Sequence, residues 1–177
     1  MRPFAELADR TARWLSPMRW KRRFELSIGD EQFASMEFER ACGAVIVART
    51  REHAWTLVSE GAGGTVLEVR DAVRSTCVAT FRGDWRGGGL LERPNGSALS
   101  WSGANTWMTR WAFRSANGSP WVEFRVDAMR LVPTALVRFE PGMAADPDAP
   151  LVAVVGWQLA LQAFETVHSG ERVALVR

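Results

Sequence analysis

Arginine is the residue with most chemistry to offer in this chain. Of 22 Lys and Arg residues, Lys21 is the single lysine. The one concentrated basic run is Arg19, Lys21, Arg22 and Arg23, with Met18, Trp20 and Phe24 interleaved. Such a run suits an anionic membrane surface or a phosphorylated headgroup. It equally suits an edge strand protected from mispairing by charge. A second group, Arg110, Arg114 and Arg125, flanks the turn signal Asn117-Gly118 and lies close to Trp121. Read as a two-residue type I′ hairpin, this segment sets Phe113 opposite Val122, Trp111 opposite Phe124 and Thr109 opposite Val126. Pro120 then falls opposite Ser115. On the other face Arg114 meets Trp121, Ala112 meets Glu123 and Arg110 meets Arg125. Two arginines directly opposite one another repel. Either the diagonal carboxylates Glu123 and Asp127 balance them, or the arginines share an external anion such as phosphate, flanked by Trp121.

Catalytic chemistry finds little support. His53 and His168 are the only imidazoles, and neither has a Gly-x-Ser-x-Gly or cysteine partner of the kind a triad uses. The runs 61–64 and 87–89 lack the Gly-Lys-Ser/Thr ending of a phosphate loop, so they read as turns. Glu37 and Glu39 share one strand face and read as a solvated surface. No CxxC or Cys/His cluster is present, so neither a metal nor a cofactor is expected. Cys42 and Cys77 fall in strand-like runs and are expected as buried, reduced thiols. A net charge of +2 predicts no nucleic-acid partner. No basic end followed by a long apolar run opens the chain, which reads as a cytoplasmic protein with peripheral membrane contact within reach. The two Asn-Gly-Ser triplets are then hairpin turns rather than glycosylation sites.

These side chains need elements to hold them. The strongest signal is the apolar stretch from Pro150 to Phe164, interrupted only by Gln158 and Gln162, four residues apart on one helical face. From Pro150 to His168 such a helix is roughly 28 Å long. Two amides within about fifteen apolar residues fall short of a bilayer span. A helix that is hydrophobic all round must be surrounded. From Met18 onward the period is two, in short runs broken by Gly, Asn and Pro at about ten-residue intervals, which is the pattern of an all-β sandwich or barrel. About eleven such runs precede the helix, enough for a closed antiparallel barrel with the helix inside it. Residues 1–17 read as an amphipathic helix, with Phe4, Leu7, Ala8, Thr11, Trp14 and Leu15 at helical spacing and Pro17 ending it. That helix lies across the barrel or, alternatively, in a membrane interface. Residues 18–168 form the barrel and its central helix, which Gly170 is expected to terminate. Residues 169–177 read as a tail or a short final strand.

The run from Thr106 to Phe113, the Asn117-Gly118 turn, the run from Trp121 to Phe124 and the helix from Leu151 to Phe164 resemble the tubby C-terminal-like superfamily, which includes tubby domains, phospholipid scramblases and LURP-one-related proteins. The resemblance spans about residues 19–168. It implies a mainly β fold, with a closed barrel of about twelve strands around a hydrophobic C-terminal helix. It also implies a non-enzymatic role in binding anionic phospholipid or another phosphate-bearing ligand, here through surface arginines. The phosphoinositide-binding basic residues of tubby domains have no matched positions in this sequence, and the cysteine-rich and calcium-binding segments of scramblases are missing. A protein-interaction scaffold, using exposed Trp and no lipid, is the alternative reading.

Overall fold

The computed structural model describes residues 1–18, 21–39, 45–60, 66–105, 109–127 and 132–174, with side chains described as far as Thr166. Twelve antiparallel strands close into a barrel in which each pairs with its neighbours in sequence, and β1 (Thr11–Leu15) pairs with β12 (Thr134–Phe139) to complete the ring. Period-two alternation explains the wall. Ala12 and Trp14, Phe24 and Leu26, Ile46 and Ala48, Leu67 and Val69, and Ala135 and Val137 all point inward and are buried. Their sequence neighbours Arg13, Arg49 and Arg138 face out and are exposed. Barrels that cross a bilayer instead present an apolar band on that outer face.

The long helix α1 (Ala149–Ala174) runs through the lumen. Every residue from Ala149 to Leu161 is buried, so no helical face is left to solvent over that stretch. Trp157 stacks on Trp14 of β1 at 5.8 Å and meets the edge of Phe24 from β2 (Arg23–Ile28) at 5.3 Å. On another side, Gly156 lies so close to β11 (Pro120–Asp127) that a Cβ there would stand 2.3 Å from the Phe124 ring. Gln162 donates to the Ser59 hydroxyl of β5 (Ala54–Glu60) at 3.3 Å. Among the described residues, no helix is long and apolar enough to cross a membrane. The helix continues past Gly170 to Ala174, so neither a terminator at Gly170 nor a final strand before residue 175 is found.

The N-terminal amphipathic helix is not present. Phe4–Leu7 is a single 3₁₀ turn, and Thr11–Leu15 is the strand that closes the barrel. Asp9, at φ 58°, breaks any continuous helix between them. Phe4, Leu7 and Trp14, buried from two different elements, fall at helical spacing when read as one segment, whereas Ala8 and Thr11 of the same pattern are exposed. The boundary at residues 17 and 18 therefore falls outside a strand the barrel cannot close without.

We call the end where α1 enters the base and the end where it leaves the rim. At the base, three β-bulges each insert an extra residue. Phe33 in β3 (Glu31–Glu39), Trp121 in β11 and Val78 in β7 (Cys77–Gly83) are those residues, and Phe33 and Trp121 are buried. Bulges at a barrel rim re-aim side chains in this way. The ring of Phe4 meets Phe33 at 6.4 Å and Phe139 at 6.2 Å, and Trp121 meets Phe139 at 5.9 Å. The 3₁₀ turn thus packs on the bulged Phe33 and on Phe139, which in turn meets the bulged Trp121.

Candidate anion-binding wall

The register of β10 (Arg110–Arg114) against β11 places Arg110 opposite Arg125, Trp111 opposite Phe124, Ala112 opposite Glu123 and Phe113 opposite Val122, as the apolar match requires. Beyond Phe113 the pairing differs from expectation. Arg114 faces Pro120, and Trp121 is the bulged residue. The cause is the turn. Gly118 has φ 80° but Asn117 does not have positive φ, so the two-residue type I′ geometry is not adopted. Gly118 N–H donates to the Ser115 carbonyl at 2.9 Å, Ser115 N–H to the Ser119 carbonyl at 3.0 Å, and Ser119 N–H to the Asn117 side chain at 3.0 Å. This is a three-residue loop closed by a glycine bulge, one residue longer than expected. The bulge at Trp121 takes up the extra residue and restores the inner register. The Asn95-Gly96 turn has the same pattern, with Gly96 at φ 77°.

On the outer face the rows continue across neighbouring strands. Arg125 pairs with Leu136 of β12, and Leu136 pairs with Arg13 of β1. Glu123, one row nearer the base, pairs with Arg138. Arg13, Arg110, Arg125 and Arg138 are all exposed. Among the described residues none of the four makes an ion pair. The entry to β10 is held by Asn105, whose side-chain oxygen accepts the N–H groups of Thr109 at 3.1 Å and Arg110 at 3.0 Å. Ala112 sits on the same outer face between Arg110 and Arg114 and is nevertheless fully buried. Arg114 donates to the Gly118 carbonyl at 3.2 Å, which holds its guanidinium toward the base turn.

The remaining basic residues separate from this wall. Arg22 is paired with Glu165 of α1 and lies over the Phe38 ring at 4.2 Å. Arg23 is paired with Glu25 at 2.8 Å. Lys21 is exposed, and Arg19 lies outside the described residues. The run therefore does not act as one free basic patch: Arg22 holds the outgoing helix to β2, and Arg23 is neutralised along its own strand. Trp121 is buried, so it does not flank an anion at the surface. Cys77 is free and exposed rather than buried, because the bulge at Val78 puts it at the base end of its strand. Cys42 lies outside the described residues, as do residues 106–108 of the resemblance segment. His53 is exposed and stacks on Trp55 at 5.3 Å.

The arginine that the base depends on belongs to neither basic group visible in the sequence. Arg93, following β8 (Gly89–Glu92), has a side chain only 9% exposed. Its guanidinium lies 3.3 Å from Asp146 and 3.6 Å from Asp148, just before α1, and 5.3 Å from the Trp121 ring centre. It also donates to the Ser97 hydroxyl at 2.5 Å. Burial pushes the Asp148 carboxyl above the usual carboxylate range, and Arg93 opposes that push. At the nearby β6–β7 turn, N–H groups of Arg74 and Val73 hold the Asp71 carboxyl below its usual range.

Fold and wall together define a twelve-stranded barrel sheathing its own C-terminal helix, with an arginine-rich outer face on β10, β11, β12 and β1. No family model, no curated protein and no solved structure matches this chain.

Proposed function

We propose that this barrel is a non-enzymatic binding module, of the tubby C-terminal-like kind, for a phosphate-bearing anion such as an acidic phospholipid headgroup. The ligand lies across the outer wall at Arg110 and Arg125, with Arg13 and Arg138 on its flank. The observation that carries this reading is the direct opposition of Arg110 and Arg125, exposed and without an ion pair among the described residues. Like charges set face to face on adjacent strands cost stability. A phosphate accepting hydrogen bonds from both guanidinium forks converts that repulsion into shared charge-assisted binding. Support for the kinship is the closed barrel threaded by an apolar C-terminal helix, the arrangement the sequence resemblance implies.

Flotation with vesicles containing acidic phospholipid tests the reading, beside vesicles of neutral lipid. The full chain is expected to float with the acidic vesicles at low salt and to be released as salt rises. The Arg110→Ala/Arg125→Ala variant is expected to lose most of that binding, while Arg22→Ala retains it. Equal binding by the double variant would refute the wall as the site.

A further inference from the structure

The proposed wall suits a phosphate carried either by a soluble ligand or by a bilayer. The turn joining β7 to β8, residues 84–88, bears on that choice. Trp85 stands at its tip, 87% exposed. The six other Trp side chains described, at positions 14, 55, 101, 111, 121 and 157, are all buried. Nor is Trp85 exposed because its loop is slack. The Asp84 carboxylate accepts the N–H groups of Arg86 at 2.8 Å and Gly88 at 2.9 Å, and Asp84 N–H reaches the Gly88 carbonyl at 2.9 Å. This consumes the one carboxylate of the turn in holding its shape. Arg86 lies over the indole at 4.6 Å, Arg82 is exposed just below, and Leu90, its partner on β8, is 43% exposed. The turn is also beside the wall. Gly88 packs against the Trp101 carbonyl of β9 (Ala98–Gly103), and Gly87 faces the Trp111 ring, next in sequence to Arg110.

We infer that this turn is a membrane finger: Trp85 and Leu90 enter the interface of an anionic bilayer, while Arg82 and Arg86 meet its headgroups beside the arginine wall. The inference rests on the proposed anion-binding function and assigns its ligand to a lipid surface. An indole on a preordered turn suits the headgroup depth of a bilayer, where its apolar body and polar N–H are both accommodated. Flanking guanidinium groups add attraction that requires acidic lipid. Because the turn is already rigid, little ordering entropy is lost when it inserts.

The test compares the full-length protein with Trp85→Ala in two assays. One is flotation with vesicles of phosphatidylcholine containing phosphatidylserine; the other is titration with inorganic phosphate. Trp85 is exposed, so the variant is expected to melt with the wild-type protein. Vesicle partitioning should fall about tenfold in Trp85→Ala, with phosphate binding unchanged. Equal partitioning of the two proteins would overturn the finger and leave the anion-binding wall standing. Wild-type protein that binds phosphate but no vesicle would also overturn the finger, in favour of a soluble ligand. Binding to neither probe would remove both the finger and the wall.

Discussion

Arg93 and Arg110 show how differently one side chain is used at two places in this barrel. Arg93, at the base, is 9% exposed, lies over Trp121 and is shared between two aspartates at the entry to α1. Arg110, on the wall, is exposed, faces Arg125 and has no ion pair among the described residues. The first meets carboxylates brought to it from a distant part of the chain, and the second meets another cation. A buried charge whose partner is removed is costly, whereas a solvated one is not. The base is therefore where arginine holds the fold, and the wall is where arginine is left available.

The largest contrast should come from truncating each. Arg93→Ala leaves Asp146 and Asp148 without their cation near buried aromatic surface, and should cost about 3–5 kcal/mol in urea denaturation. Arg110→Ala should stay within about 0.5 kcal/mol of wild type in the same experiment. Restoring neutrality with Asp146→Asn and Asp148→Asn should recover part of the Arg93→Ala loss. Equal costs at both arginines would erase the distinction between base and wall.

Next in size is Gly156→Ala. An added methyl would strike the Phe124 ring, itself packed on Trp101 at 5.6 Å. Overpacking of this kind costs about 1–3 kcal/mol, more than the helix propensity of alanine returns. A stabilised Gly156→Ala would mean that α1 is not pressed against β11.

Acidification should separate the base further. Asp148 has its carboxyl raised by burial, so the folded state holds its proton more tightly than the unfolded chain. Its contribution grows as pH falls into the window between the ordinary carboxylate value and the raised one, and is absent at neutral pH. Asp71, held low by N–H donors, contributes in the opposite sense: fully present above the ordinary carboxylate range and lost in stronger acid. Melting temperatures across this range should show the gap between wild type and Asp148→Asn shifting toward the wild-type protein as pH falls.

The smallest effect is the most specific to the wall. Arg125→Glu turns a like-charge pair into an opposite-charge pair, and should stabilise the ligand-free protein by about 0.2–1 kcal/mol. The same substitution should abolish vesicle binding. Loss of stability together with binding would indicate that Arg125 is structural.

The interior of the barrel was legible because it depends on local alternation. Trp111 and Phe113 against Phe124 and Val122 can be paired from sequence alone, since any slip turns them outward. So was the sheathed helix, because the apolar and amide positions from Ala149 to Leu161 leave no charged face. The base was not legible. Phe33 and Trp121 sit at bulges whose position depends on what the base must cover, and an alternating pattern gives no sign of the inserted residue. Asn-Gly-Ser serves both the two-residue and the three-residue hairpin, so the pairing of Arg114 could not be fixed from it. Arg93 meets Asp146 only when the ring has closed. The opposed arginines of the wall were visible in sequence, but the absence of an ion pair to either among the described residues was not.

Whether the helix is enclosed on every side can be measured by thiol labelling. In a Cys42→Ser background, Val152→Cys, Val154→Cys, Val155→Cys and Ala160→Cys each add one probe, at about 0°, 200°, 300° and 80° around the helix axis, and exposed Cys77 provides the reactive control. All four probes should label in native buffer no faster than the protein unfolds globally, and quickly in denaturant. Rapid native labelling of any one of them, at the rate of Cys77, would contradict a helix sheathed by its own barrel.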